Sequence, residues 1–212
     1  MAPYNSSEDL ETRIIEVAKH LFIENGFAET SMSDIAAEVG INRPGLHYYF
    51  RTKEKMFQAV FGQIITTFVP KVQGILLSKD IPILERVSSV IDAYYQVFQK
   101  NPCLPLFIIR EMHRDVNHLV ETVKGLQMAE TAGMIMKSLQ EEMEAGKIKQ
   151  VPFRFIFFTF YSLLTVPFAT KELGTRVFLE EGEQFEDMLK QWKAYIIMHM
   201  GGLLCVKKEG EA

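Results

Sequence analysis

A chain of 212 residues of which 48% are hydrophobic is long enough to bury a core and too apolar to be disordered. Its formal charge of -4 excludes a protein that coats nucleic acid through general basicity, so any such contact has to come from a local cluster. Cys103 and Cys205 lie far apart without metal-ligand spacing, which argues against a disulfide framework or a zinc site and fits a reducing cytosol.

In chain order, the opening residues are polar, have no apolar core and turn acidic at once, so no leader is expected there. Ser6 with Asp9 makes a capping pair, and Leu10, Ile14, Val17, Ala18, Leu21 and Phe22 form one face of a first helix that Gly26 stops. Ser31 with Asp34 starts a second helix over 32–39, short because Gly40 ends it. Asn42 caps a third over 43–50, with Pro44 in the first turn where its missing N–H costs nothing. Thr52 caps a fourth helix running through Ile65 toward Pro70. Beyond it the periodicity stays helical over 83–99, 105–114, 117–145, 152–173 and 180–204, with breaks at 78–80, 101–102, 146–147 and 174–175. The apolar run 153–168 is shorter than the roughly 20 residues a membrane span needs, carries Arg154 and ends near Pro167, so no membrane partner is expected.

The fold expected is all-α, with a helix-turn-helix domain over 1–55 and a larger helical domain over 56–212. Two short helices joined through Gly40, Ile41 and Asn42 are the helix-turn-helix arrangement, in which the second helix enters the major groove. Arg43 suits a guanine edge or a phosphate, and Pro44 a thymine methyl, with Gly45 leaving the backbone close. His47, Tyr48 and Tyr49 suit phosphates and sugars, and Lys53 offers a charge and a backbone N–H to a phosphate. Charge agrees only locally. Residues 1–60 hold six basic and nine acidic residues, whereas 42–55 hold four basic and one acidic.

Arg13-Ile14-Ile15, Ala18, Leu21-Phe22, Gly26-Phe27, Thr30-Ser31-Met32, Asp34-Ile35-Ala36, Gly40-Ile41-Asn42, Leu46, Tyr49-Phe50, Lys53-Glu54 and Met56-Phe57 fall in one register. Over residues 10–60 the chain resembles the TetR (tetracycline-repressor-like) transcriptional regulators. The resemblance implies a homodimer on a palindromic DNA operator, and a C-terminal helical domain whose small-molecule effector weakens DNA binding. Ser31 and Ser33 join the implied DNA-facing set. His47 stands where the family usually has a Tyr that donates to a phosphate; an imidazole still donates, and its protonation would make binding pH-sensitive. Ser33 replaces a frequent Lys, Arg or Thr, and Gly45 gives up a base contact.

The second half is rich in Met and Phe, which suit an adaptable apolar pocket and an ordinary bundle core alike. The candidate effector pocket is Tyr94, Tyr95, Phe98, Arg110, His113, Met128, Met134, Tyr161 and Thr165, in which polar groups set among apolar ones would orient a ligand. Phe155, Phe158, Ser162, Phe185, Met188, Trp192, Tyr195 and Ile196 recur at helical spacing on the last two helices and form the candidate dimer surface. Glu111, Asp115 and His118 share a helix face in a metal-like spacing that also suits a solvated helix end, so no metal or other cofactor is assigned. No catalytic motif is present, and the leading reading is a ligand-released repressor. An activator, a regulator gated by a protein partner, and a helical ligand carrier that no longer binds DNA stand beside it.

Overall fold

The computed structural model describes residues 7–101, 104–117, 120–121 and 128–206, giving backbone alone at 7–9, 64, 65, 67, 111 and 112. Its elements are α1 (Ser7–Asn25), α2 (Met32–Val39), α3 (Arg43–Tyr49), α4 (Lys53–Leu77), α5 (Ile83–Lys100), α6 (Leu104–Arg114), α7 (Met128–Glu144), α8 (Phe153–Ala169), α9 (Lys171–Val177) and α10 (Phe185–Leu204). Among the described residues there is no named strand, only an isolated bridge between Ile148 and Cys205. The chain forms two compact units, 1–68 with 106–126, and 69–105 with 127–212.

In the first unit the local signals act as their chemistry dictates. Ser31 Oγ accepts from Asp34 N at 3.1 Å while Ser31 N donates to Asp34 Oδ2 at 2.8 Å, so both ends of a capping box close. Gly40, at φ 80°, lies in the left-handed region and sends its N–H back to Ala36 O, which ends α2. Asn42 Oδ1 accepts from Gly45 N at 2.8 Å, and a Cβ at Gly45 would come within 2.9 Å of that oxygen. Gly45 thus leaves room for the cap that starts α3, a role additional to the lost base contact. Ser6, assigned a capping role from sequence, lies outside the described residues.

The core of this unit is Ile14, Ala18, Phe22, Ile35, Leu46, Met56 and Phe57, each essentially inaccessible. Phe57 links the layers, its ring 6.1 Å from Phe22, 5.2 Å from Phe27 and 5.8 Å from Phe107. Burial of such a ring is worth about 2–3 kcal/mol. Among the described residues α4 is long and apolar enough to cross a bilayer, and α8 with α9 could do so as one bent span, yet Met56, Phe57, Val60 and Phe61 of α4 are buried in the fold.

Three expected boundaries move. Pro70 does not end the fourth helix, which runs on to Leu77, because proline forfeits one backbone bond and the remaining ladder carries the chain past it. The expected 152–173 helix ends at Ala169, and α9 leaves at 70°, so the break falls at Thr170 and Gly174 lies inside a helix. Thr170 Oγ1 donates to Val166 O at 2.8 Å, closing the end of α8. The last helix starts at Phe185, after a turn in which Gly182 takes φ 85°. Within the expected 117–145 helix, α7 covers 128–144, while 118, 119 and 122–127 lie outside the described residues.

The second unit packs α5, α8 and α10 around Val87, Ile91, Leu164, Leu189 and Ile196. It also buries an ion pair. Arg86 Nη1 donates to Glu142 Oε1 at 2.9 Å and to Leu76 O at 2.7 Å, and Arg86 Nη2 donates to Glu142 Oε2. One guanidinium therefore joins α5 to α7 and to the last turn of α4.

Candidate nucleic-acid interface

Helix α3 is seven residues long and held from beneath by Leu46, which is fully buried. Spacing around a helix then puts Pro44, His47 and Tyr48 away from that anchor, while Arg43 is the first residue of the helix, open to solvent at its end. Arg43 and Pro44 are exposed, Tyr48 is 84% exposed, and His47, Tyr49 and Gly45 are half-buried. A tyrosine left so open has no packing role, and its ring meets Tyr49 edge-on at 5.4 Å. Ser31 and Ser33 are exposed on and beside α2, with the Ser31 oxygen engaged as the cap.

The polar contacts on this face form a chain. Arg43 Nε donates to His47 Nε2 at 3.3 Å, and His47 Nδ1 stands 3.1 Å from Arg51 O. Asp34, bonded by Ser31, has its carboxyl held below the usual range, chiefly by the Ser31 hydroxyl and then by its backbone N–H.

Lys53 departs from the sequence reading. Its Nζ donates to Phe27 O at 2.7 Å, Thr30 O at 2.9 Å and Ala28 O at 3.2 Å, and lies 4.4 Å over the Phe27 ring. Three donors meet three carbonyls, so the ammonium is spent on the loop between α1 and α2 and is not held out to a phosphate. Only the sequence position was legible, because those partners lie 23–26 residues away.

In the second unit the structure brings together Tyr94, Tyr95, Phe98, Tyr161 and Thr165. Phe98 meets Tyr94 at 5.4 Å and Phe168 at 5.0 Å, and Tyr95 meets Phe168 at 5.7 Å. Tyr161, Thr165 and Phe168 share one face of α8 by spacing. Tyr95 Oη and Thr165 Oγ1 are buried and make no hydrogen bond of normal geometry, although Thr165 stands near enough to temper the raised phenol of Tyr161. Burial, and secondarily the neighbouring Tyr161, pushes the Tyr94 phenol well above its ordinary range; burial and then Asp92 do the same for Tyr95. Arg110 and His113 are exposed on α6, in the first unit. Met128 is half-buried and Met134 exposed, the latter accepting from Gln73 Nε2 at 3.5 Å.

Sequence reasoning missed a cleft of about 410 Å³ between Met136, Leu139, Gln140 and Met143 of α7 and the segment 150–153. The Met-rich run was the available signal. Of the metal-like trio, Asp115 is exposed, while His118 and the Glu111 side chain lie outside the described residues, as does Cys103.

The expected dimer surface divides. Phe155, Phe158, Ser162 and Tyr195 are exposed, Phe158 by 66%, and Met188 and Trp192 are half-buried. Trp192 Nε1 donates to Leu163 O at 2.8 Å. Phe185 and Ile196 are core residues instead: Ile196 is inaccessible, and Phe185 packs edge-on to Phe168 at 5.7 Å. Apolar spacing marks both faces of a helix that is covered on one side and open on the other. Phe157, Val166 and Met198 are further exposed apolar residues on α8 and α10.

Residues 14–60 match the family described as bacterial regulatory proteins, tetR family. The HTH-type transcriptional regulator YfiR of Bacillus subtilis is 36% identical over 63 residues, 28% of this chain and 31% of that protein. EthR of Mycolicibacterium smegmatis, also an HTH-type regulator, is 35% identical over 60 residues, 28% of each chain. The matched stretch thus spans about a third of the length of these curated relatives. Over the whole chain the likeness is structural. The transcriptional regulator FadR of Bacillus subtilis, solved with stearoyl-CoA, superposes with a TM-score of 0.66 at 17% identity, covering 88% of this chain and 97% of that one.

Proposed function

With residues 14–60 carrying the DNA-binding segment of the tetR family of bacterial regulators, on a chain that has the fold of a solved regulator, we propose that this protein is a DNA-binding transcriptional regulator. The observation that carries the reading is the outward set on α3, where Arg43, Pro44 and Tyr48 are exposed above a fully buried Leu46. Residues 1–55 form the reading head, and 56–212 receive the effector and pair two copies. The basic stretch 42–55 supplies the charge that the chain as a whole lacks, and a second copy doubles it.

Two copies would place two α3 helices in successive major grooves about 34–36 Å apart, on a palindromic operator. Exposed Phe155, Phe158 and Tyr195 support that pairing, since so much aromatic surface is costly to leave in water. The effector is small and apolar or amphipathic, and its binding releases the operator, which makes the protein a repressor acting in the cytoplasm. The cluster of Tyr94, Tyr95, Phe98, Tyr161 and Thr165 supports this choice, because it offers hydroxyls and rings without a free charge to take a carboxylate or phosphate. The FadR neighbour, solved with stearoyl-CoA, carries an apolar chain. The test is a gel shift of the protein on the DNA upstream of its own coding sequence, with candidate effectors added to release it. Absence of a shift on that DNA and on any selected duplex would rule the reading out.

A further inference from the structure

We propose that His47 is a positioning residue that fixes how Arg43 meets DNA, an inference that rests on α3 being the DNA-facing helix. The hydrogen-bond partners decide the tautomer. His47 Nδ1 faces Arg51 O at 3.1 Å, and a carbonyl oxygen only accepts, so Nδ1 carries the proton. Nε2 is then bare, and its lone pair accepts from Arg43 Nε at 3.3 Å. The imidazole is a bridge between the backbone just past α3 and a guanidinium one turn earlier on the same helix.

That bridge has a consequence for recognition. A guanidinium can grip the O6/N7 edge of guanine through its two terminal nitrogens, or sideways through Nε and one of them. With Nε committed to His47, only the end-on pair faces outward, and the long arginine side chain loses rotamers before DNA arrives. Preorganisation of this kind sharpens the choice of base more than it adds general affinity, which comes from charge on phosphates.

Wild type, His47→Ala, His47→Gln and Arg43→Ala are each used to select duplexes from a randomised library, and affinities are measured on the selected and on a scrambled duplex. Gln places its Oε1 near the position of the imidazole Nε2, and so keeps the acceptor. Expected are a fall of about three- to tenfold in selected-over-scrambled affinity for His47→Ala, confined to the base pair that Arg43→Ala also relaxes, and substantial recovery in His47→Gln. Affinity for the scrambled duplex falls less than affinity for the selected one in His47→Ala. Equal losses in Ala and Gln overturn the proposal, since the imidazole would then touch DNA itself, and so does a base preference that His47→Ala leaves intact while Arg43→Ala changes it. If Arg43→Ala also changes nothing, the placement of α3 fails and the proposal with it. An independent reading needs no DNA: nitrogen NMR of the imidazole should show the Nδ1-protonated tautomer, which shifts toward the Nε2-protonated form in Arg43→Ala. An Nε2-protonated ring in the wild type overturns the proposal.

Discussion

The ammonium of Lys53 lies 2.7 Å from the carbonyl oxygen of Phe27 and 4.4 Å above the ring of the same residue. With Thr30 O and Ala28 O it closes the loop that delivers the chain from α1 to α2. A basic residue at the start of α4 therefore ties together the fold of the first unit.

Lys53→Met keeps the aliphatic stem and removes the charge. It is expected to cost about 1–3 kcal/mol, at the lower end because the site is half-exposed. Urea unfolding measures the loss. DNA binding should weaken only as far as folding does, with the slope of affinity against salt unchanged; a slope shallower by about one unit would show a phosphate contact and refute the assignment.

Local chemistry was legible in the sequence and distant pairing was not. Ser31 with Asp34, Asn42 with Gly45, and Gly40 at the end of α2 each act within four residues, so residue type and spacing determined them. The anchor of Lys53 and the pairing of Arg86 with Glu142 cross 23–26 and 56 residues, distances at which no periodicity carries a partner's identity. Pro70 and Thr170 show the same limit from the other side: a breaker inside α4 and an unmarked break after α8 are decided by packing. At the site, the exposed face of α3 followed from the spacing of Leu46, whereas the covering of Phe185 and Ile196 did not, because an apolar stripe looks alike in a core and at an interface.

Arg86→Met alone strands Glu142 in the core of the second unit and should cost about 3–5 kcal/mol. Replacing both, Arg86→Met with Glu142→Leu, should recover most of that. Thermal unfolding of the two single variants and the double distinguishes a clamp from a solvated pair. Losses under about 1 kcal/mol in the singles would mean that the charges reach water.

Tyr95 gives the pH dependence. Its phenol is raised by burial and by Asp92, so the folded state favours the neutral form. The resulting stability is complete below the unfolded value of about 10 and is lost as pH rises beyond it toward the folded pKa. Tyr95→Phe removes a hydroxyl that has no partner, so stability at neutral pH should be unchanged or slightly higher. Its alkaline unfolding midpoint should move up. Circular dichroism across pH 8–12 reads both, and a midpoint identical to wild type would contradict the role given to this phenol.

Phe158→Glu places a charge on the proposed pairing surface at a side chain already 66% exposed. Folding should be unaffected, with helix content preserved. Sedimentation velocity should show a dimer for the wild type and a monomer for the variant, and operator affinity should fall because one half-site alone would be held. A Phe158→Glu protein that still sediments as a dimer would move the interface elsewhere.

The most direct measurement of the central claim is binding of wild type and Arg43→Ala to the same upstream duplex, by gel shift or fluorescence anisotropy at fixed salt. Arg43 is exposed on α3 and lies outside the core, so the variant keeps its fold and the comparison isolates recognition. The expected result is tight wild-type binding and a loss of about 1–3 kcal/mol in the variant, with relaxed preference at one base pair of each half-site. Equal affinity and equal preference in the two proteins would contradict the claim that this helix reads DNA.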